Sequence, residues 1–170
     1  MKKIGLLGGS FDPPHKGHLY ISMEAKKILQ LNEIWWLVTP QNPLKISEPA
    51  TYNDRVYNCK KISKNLPINV KEIEKKISSK FTYQTLNYIL NHYSNIKFYW
   101  LMGADNLINF HKWRNWKKIS KLATIVVFAR SKYSIKALNS VAAKRLPKGT
   151  WKYISDKKIN ISSSLIRKFW

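Results

Sequence analysis

His15 and His18 bracket a lysine and a glycine at the end of the run Gly8-Gly9-Ser10-Phe11-Asp12-Pro13-Pro14-His15-Lys16-Gly17-His18. The chemistry such a set offers is anion binding. Glycines let phosphate groups come close to main-chain N–H groups. A helix start adds unpaired donors and the positive end of a dipole. Two histidines three apart on a helix share one face and can address one anion together. Turn formation alone gives no reason for two histidines around a glycine. Two other phosphate loops are excluded, because G-x-x-x-x-G-K-[ST] is absent and the glycines at 5, 8, 9 and 17 do not make G-x-G-x-x-G. The H-x-x-H spacing also suits zinc, but His92, His111 and Cys59 supply no obvious third ligand, so no metal site is expected.

Such a loop needs a strand behind it and a helix after it. Ile4 to Leu7 reads as a buried strand, and Leu19 to Leu31 sorts into apolar and polar faces at helical spacing, so both histidines are expected in the first helical turn. Further strands are expected at Glu33–Thr39, Ile68–Ile73, Asn95–Met102, Leu122–Ala129 and Thr150–Ile154. Helices are expected over 51–65, 82–93, 134–145 and 162–170, with one or two short ones between 104 and 121. This alternation specifies an α/β fold, a doubly wound parallel sheet forming a single domain over residues 1–170. In such sheets ligands lie beyond the carboxyl ends of the strands. His15, His18, Lys45, Asp105, Arg130 and the 162–167 segment all follow strands, so they gather on one rim.

Composition bounds the rest. The chain carries 31 Lys and Arg against 9 acids, a formal charge of +22. Those bases are spread along the whole sequence with no run longer than two, so the charge favours capture of small anions and no specific nucleic-acid recognition is expected. Neither a signal peptide nor an apolar run of membrane-spanning length is visible, and the expectation is a cytoplasmic protein with no membrane partner. A single cysteine, Cys59, excludes an internal disulfide.

With these residues in view the sequence resembles a family. Gly9-Ser10-Phe11-Asp12-Pro13 followed by His15-Lys16-Gly17-His18 is similar to the signature of the HxGH nucleotidylyltransferases. Ile161-Ser162-Ser163-Ser164-Leu165-Ile166-Arg167 is similar to their second signature, I-S-S-[ST]-x-I-R. Gly103-Ala104-Asp105 with Trp113 and Trp116, Thr82-Tyr83-Gln84-Thr85-Leu86, and Phe128-Ala129-Arg130 resemble the bacterial nicotinate mononucleotide adenylyltransferases within that group. Gln84 stands where those relatives usually carry Asp, and Leu44 where a histidine usually precedes Lys45.

The resemblance implies a Rossmann-like fold and transfer of the adenylyl group of ATP to nicotinate mononucleotide, giving nicotinate adenine dinucleotide and pyrophosphate. It implies His15, His18 and Arg167 as catalytic residues. Gly9, Ser10, Phe11, His18, Asp105, Ile161, Ser162, Ser163 and Arg167 would bind ATP. Lys45, Thr82, Thr85, Gly103, Trp113 and Arg130 would bind the mononucleotide. Magnesium is expected to ride on the ATP phosphates, since the rim holds too few carboxylates for a protein cage. Trp113 either stacks on the pyridine ring or joins the core, and Trp116 is assigned to the core. Asp105 either caps the helix that follows or hydrogen-bonds a ribose hydroxyl. The acid form of the mononucleotide is expected to be preferred to the amide. The rival within the group is phosphopantetheine adenylyltransferase, against which stand His15 and the G-x-D…W-x-x-W stretch. A rival of another class is a basic nucleic-acid-binding module. The oligomeric state is open.

Overall fold

Six strands, β1 (Lys2–Gly9), β2 (Glu33–Val38), β3 (Ile68–Lys71), β4 (Ile96–Gly103), β5 (Thr124–Phe128) and β6 (Trp151–Ile154), form one sheet in the order β3-β2-β1-β4-β5-β6. Every neighbouring pair is parallel. The structure is a computed structural model and describes residues 1–40 and 50–155. Lys45, Ile161, Ser162, Ser163, Arg167 and the expected helix over 162–170 lie outside the described residues. Helices join the strands: α1 (Lys16–Leu29), α2 (Tyr52–Ile62), α3 (Ile73–Lys76), α4 (Thr82–His92), α5 (Ala104–Asn109), α6 (Trp116–Leu122), α7 (Ser134–Leu138) and α8 (Val141–Arg145), with a 3₁₀ turn over Phe110–Lys112.

Strands buried on both faces read as continuous apolar runs, and β2 (EIWWLV) is buried from Ile34 to Val38. Alternation along the strands divides the core into two layers. Trp36, Val38, Leu7 and Tyr99 pack with Ile21, Ala25 and Leu29 of α1 and Val56 and Cys59 of α2. Leu6, Trp35, Leu37, Trp100 and Met102 pack on the opposite face with Leu86 and Ile89 of α4 and Leu107, Ile119, Ala137 and Ala142 of the later helices. The doubly wound expectation therefore holds.

The order runs outward from β1 through β2 to β3 and then restarts on the other side of β1 with β4. The carboxyl ends of β1 and β4 thus flank the switch point, where such sheets open a crevice. Gly8 permits this pairing at close range, because a Cβ there would stand 2.6 Å from Cη2 of Trp100. This glycine makes room for an indole.

Several boundaries differ from the sequence expectation. The third strand ends at Lys71, and Ile73 begins a helical turn. Leu122 completes α6, so β5 starts at Thr124. The helix expected over 134–145 is two short ones, because Ser140 leaves helical geometry and its Oγ accepts the Ala143 N–H at 3.2 Å, starting α8.

Candidate active site at the sheet switch point

The histidine pair is placed by its own ring nitrogens. His15 is extended (φ −146°, ψ 175°) and caps α1, not part of its first turn. His15 Nδ1 accepts the Gly17 N–H at 3.1 Å, and His18 Nδ1 accepts the His15 N–H at 3.1 Å. This is a capping box built from two imidazoles. It corrects the sequence expectation of bare backbone donors at the helix start, since the rings occupy two of them. Each Nδ1 accepts a hydrogen bond, so in a neutral ring the proton is on Nε2. The rings lie with centroids 3.9 Å apart.

A buried aromatic stack supports the pair. Phe11, 1% exposed, packs against His18 at 4.6 Å and Trp36 at 4.8 Å between ring centroids. It does so from a left-handed backbone (φ 49°), a conformation uncommon for a bulky residue that is maintained by the surrounding packing. Trp36 Nε1–H donates to Ser22 Oγ at 2.8 Å, and the Ser22 hydroxyl donates to the His18 carbonyl at 2.7 Å. Burial, with the neighbouring His15 adding to it, pulls the His18 pKa from 6.5 down to about 3, so at neutral pH His18 is an uncharged, oriented donor.

The histidines open onto a cleft of about 530 Å³. Gly9 at the end of β1, the loop residues Ser10, Phe11, Asp12 and His15, and His18 of α1 line it, as do Phe81 and Thr82 at the start of α4, Trp100 and Met102 of β4, Asp105 of α5 and Trp113, with Lys80, Lys112 and Arg114. Trp113 sits edge-on to Phe110 at 5.0 Å and to Trp100 at 6.3 Å between centroids. It is partly buried, as is Trp116, and both pack against the core while Trp113 also lines the cleft.

The structure thus gathers Gly9, Ser10, Phe11, His15, His18, Thr82, Asp105 and Trp113 around one cavity. Three candidates are not on it. Thr85 is fully buried, and its hydroxyl donates towards Ser79 Oγ and the Phe81 carbonyl at 3.3 Å each, bracing the wall from behind. Gly103 is buried as the N-cap of α5. Arg130 turns its Nη1 to Asp105 Oδ2 at 3.1 Å, so a residue expected on the mononucleotide and one expected on ATP are ion-paired. Asp105 lies inside the first turn of α5, whose N-cap is Gly103.

Sequence reasoning missed Arg55 and Glu74. Arg55, 1% exposed, donates to the carbonyls of Ser10, Thr39, Pro40 and Ala50 at 2.7 to 3.0 Å. It ties the histidine loop to both flanks of the 40–50 segment, and Asp12 Oδ2 adds to this by accepting the Ala50 N–H at 3.0 Å. Its position was a signal, for Arg55 shares the helical face of Cys59 and Ile62. Glu74 lines the cleft at 2% exposure. Nothing in its neighbourhood of lysines marked it.

Comparison with known proteins agrees with this architecture. The cytidylyltransferase-like family model matches residues 6–169. A protein of Pelagibacter ubique named "Probable nicotinate-nucleotide adenylyltransferase" is 49% identical over 98% of this chain and 92% of its own length. One of the same name from Ruegeria sp. is 39% identical over 97% of this chain and 96% of its own. The nicotinic acid mononucleotide adenylyltransferase of Plasmodium falciparum, solved with NaAD, superposes with a TM-score of 0.76 over 99% of this chain and 83% of its own, at 24% identity. That likeness carries the fold, while the closer sequence matches carry the family: the chain belongs to the cytidylyltransferase-like family, among its nicotinate-nucleotide adenylyltransferases.

Proposed function

We propose that the protein transfers the adenylyl group of ATP to nicotinate mononucleotide, releasing pyrophosphate, a step of NAD biosynthesis carried out in the cytoplasm by residues 1–170 acting as one nucleotidylyltransferase domain. The observation that carries the reading is one cleft lined both by the histidine-capped loop, whose chemistry suits a polyphosphate, and by Phe81, Trp100 and Trp113, whose rings suit a flat base. Curated relatives of the same name support the choice of substrates.

In this reading a 5′-phosphate oxygen of the mononucleotide attacks the α-phosphorus of ATP. The new P–O bond forms as the bond to the bridging oxygen of the β-phosphate breaks, and its electron pair leaves on pyrophosphate. The second pKa of a phosphate monoester is about 6, so the attacking group is already largely ionised at pH 7 and needs no base. The remaining work is alignment and stabilisation of charge on the phosphate oxygens. His18 donates from Nε2 to an α-phosphate oxygen, and its neutrality means a fixed dipole is already in place. His15 places the triphosphate, and Arg167 with Ser162, Ser163 and the Ile161 main chain binds it from the other signature. Lys45, Thr82 and Arg130 serve the mononucleotide, with Arg130 ion-paired to Asp105.

Magnesium enters with ATP as substrate. Among the described residues no three His, Cys, Asp or Glu side chains cluster as ligands. Asp12 and Asp105 are engaged by Ala50 and Arg130, so neither is a ready protein ligand. Mg-ATP is the form the loop would take.

The test is pyrophosphate release from Mg-ATP with a panel of acceptors. Release with nicotinate mononucleotide and none with phosphopantetheine or without acceptor is expected. Release with phosphopantetheine alone would overturn the assignment.

A further inference from the structure

Trp36 of β2 reaches His18 by two separate routes. Its ring stacks on Phe11 at 4.8 Å between centroids and 22° between planes, and Phe11 in turn packs on the His18 ring at 4.6 Å. The indole also stands edge-on to His18 at 5.9 Å. By the second route the indole N–H donates to Ser22 Oγ at 2.8 Å, and the Ser22 hydroxyl donates to the His18 carbonyl at 2.7 Å. Ring and main chain of His18 are thus both referred to one side chain of the sheet. Trp36 is itself fixed there, wholly buried and in register with Leu7 of β1, the strand that leads into the histidine loop.

Ser22 is the polar member of a buried helix face otherwise made of Gly17, Ile21, Ala25 and Leu29. Helix stability gives no reason for it. A serine bonding back to the carbonyl four residues earlier weakens a helix slightly, and alanine is the better helix former. What its hydroxyl does supply is an acceptor and a donor at once, and here each meets a different element. Hydrogen bonds weaken steeply off line, so a neutral imidazole stabilises developing charge only while its N–H stays aimed. On the basis of the proposed function, we propose that Ser22 is a positioning residue for adenylyl transfer: by joining the Trp36 indole to the His18 carbonyl, it keeps His18 Nε2 directed at the α-phosphate of ATP.

Ser22→Ala cuts this tie and leaves the Trp36 N–H a buried donor without its acceptor, an arrangement costly enough to shift the ring that bears it. Any shift of Trp36 passes to Phe11, and from Phe11 to the face of His18, because the three rings are in contact. Substrate binding, shared among many groups of the cleft, should change little. The effect is therefore expected in kcat and not in KM. It should also depend on the indole N–H, since without that donor the hydroxyl has nothing to join.

The experiment measures kcat and both KM values with Mg-ATP and nicotinate mononucleotide for the wild type, Ser22→Ala, Trp36→Phe and the double variant. Rates are taken per folded molecule, counted by near-UV circular dichroism, so that a merely less stable protein does not register. The kcat of Ser22→Ala is expected to fall roughly tenfold, part of the loss that removing a whole donor causes, with each KM within about threefold. In the Trp36→Phe background Ser22→Ala should cost less than about twofold more. Near-normal kcat in Ser22→Ala, or the same loss in both backgrounds, overturns the role of Ser22 and leaves the reaction assignment standing. Proton–nitrogen NMR of the imidazoles adds a readout independent of turnover. The His18 Nε2–H resonance should move in Ser22→Ala while the ring resonances of His92 and His111 stay, and an unmoved His18 overturns the proposal. That spectrum decides the matter if Trp36→Phe does not fold. If Ser22→Ala itself does not fold, Ser22→Cys, whose thiol is a weak donor and acceptor, replaces it throughout. Absence of pyrophosphate release by the wild type with nicotinate mononucleotide overturns the reaction assignment and the proposal together.

Discussion

His15 and His18 hold each other in place, the N–H of one donating to Nδ1 of the other at 3.1 Å while their rings lie 3.9 Å apart. His18→Ala removes both the proposed donor to the α-phosphate and the acceptor for a helix-capping N–H. Turnover should fall by roughly 10²–10³, the scale of losing one transition-state donor. Stability should fall by about 1 kcal/mol, the scale of a lost cap. Steady-state kinetics and urea melts on the same preparation check both, and near-normal kcat removes His18 from the mechanism.

The lowered pKa of His18 sets a stability window. The folded protein keeps this ring neutral down to about pH 3, whereas the unfolded chain binds the proton near 6.5. Between those values the unfolded state holds more protons, so stability attributable to His18 is full above pH 6.5 and declines as pH falls towards 3. His18→Gln keeps an acceptor for the His15 N–H but does not titrate. The stability of the wild type relative to this variant should therefore drop on the order of a few kcal/mol between pH 7 and 4. A constant difference across that range sinks the prediction.

Arg55 is a buried cation answered by four carbonyls and, among the described residues, by no carboxylate. Arg55→Ala leaves those carbonyls unpaired and should destabilise the protein by about 3–5 kcal/mol. Arg55→Lys should recover little of this, because a point charge cannot address four acceptors spread around a planar fork. Chemical denaturation of the three proteins gives the comparison, and full rescue by Lys would contradict the fork.

Asp105 and Arg130 form a partly exposed pair, so its share of stability should be about 1 kcal/mol or less. Its importance is expected in catalysis. Asp105→Ala, Arg130→Ala and the double variant should lower kcat/KM non-additively, the double costing clearly less than the sum of the singles. Additive losses would mean that the two residues meet different parts of the substrates independently.

The order of strands and helices was legible in the sequence because each buried parallel strand is a short apolar run and each helix repeats its apolar residues with a helical period. Most of the described candidates that line the cleft were legible as residue types: Gly9, Ser10, His15, His18, Thr82 and Trp113. Spacing alone put the histidines in the helix's first turn, but the hydrogen bonds of their rings place His15 before it and commit both Nδ1 atoms. That commitment, and the neutrality of His18, come from burial against Phe11 and Trp36, residues contributed by another loop position and another strand. Tertiary structure alone also turned Thr85 inward, paired Arg130 with Asp105, and set Glu74 in the cleft wall. A sequence lists which groups can donate, accept or carry charge. Which of them keep that capacity for a ligand depends on the partners that other segments bring within hydrogen-bonding distance, and on the water those segments exclude.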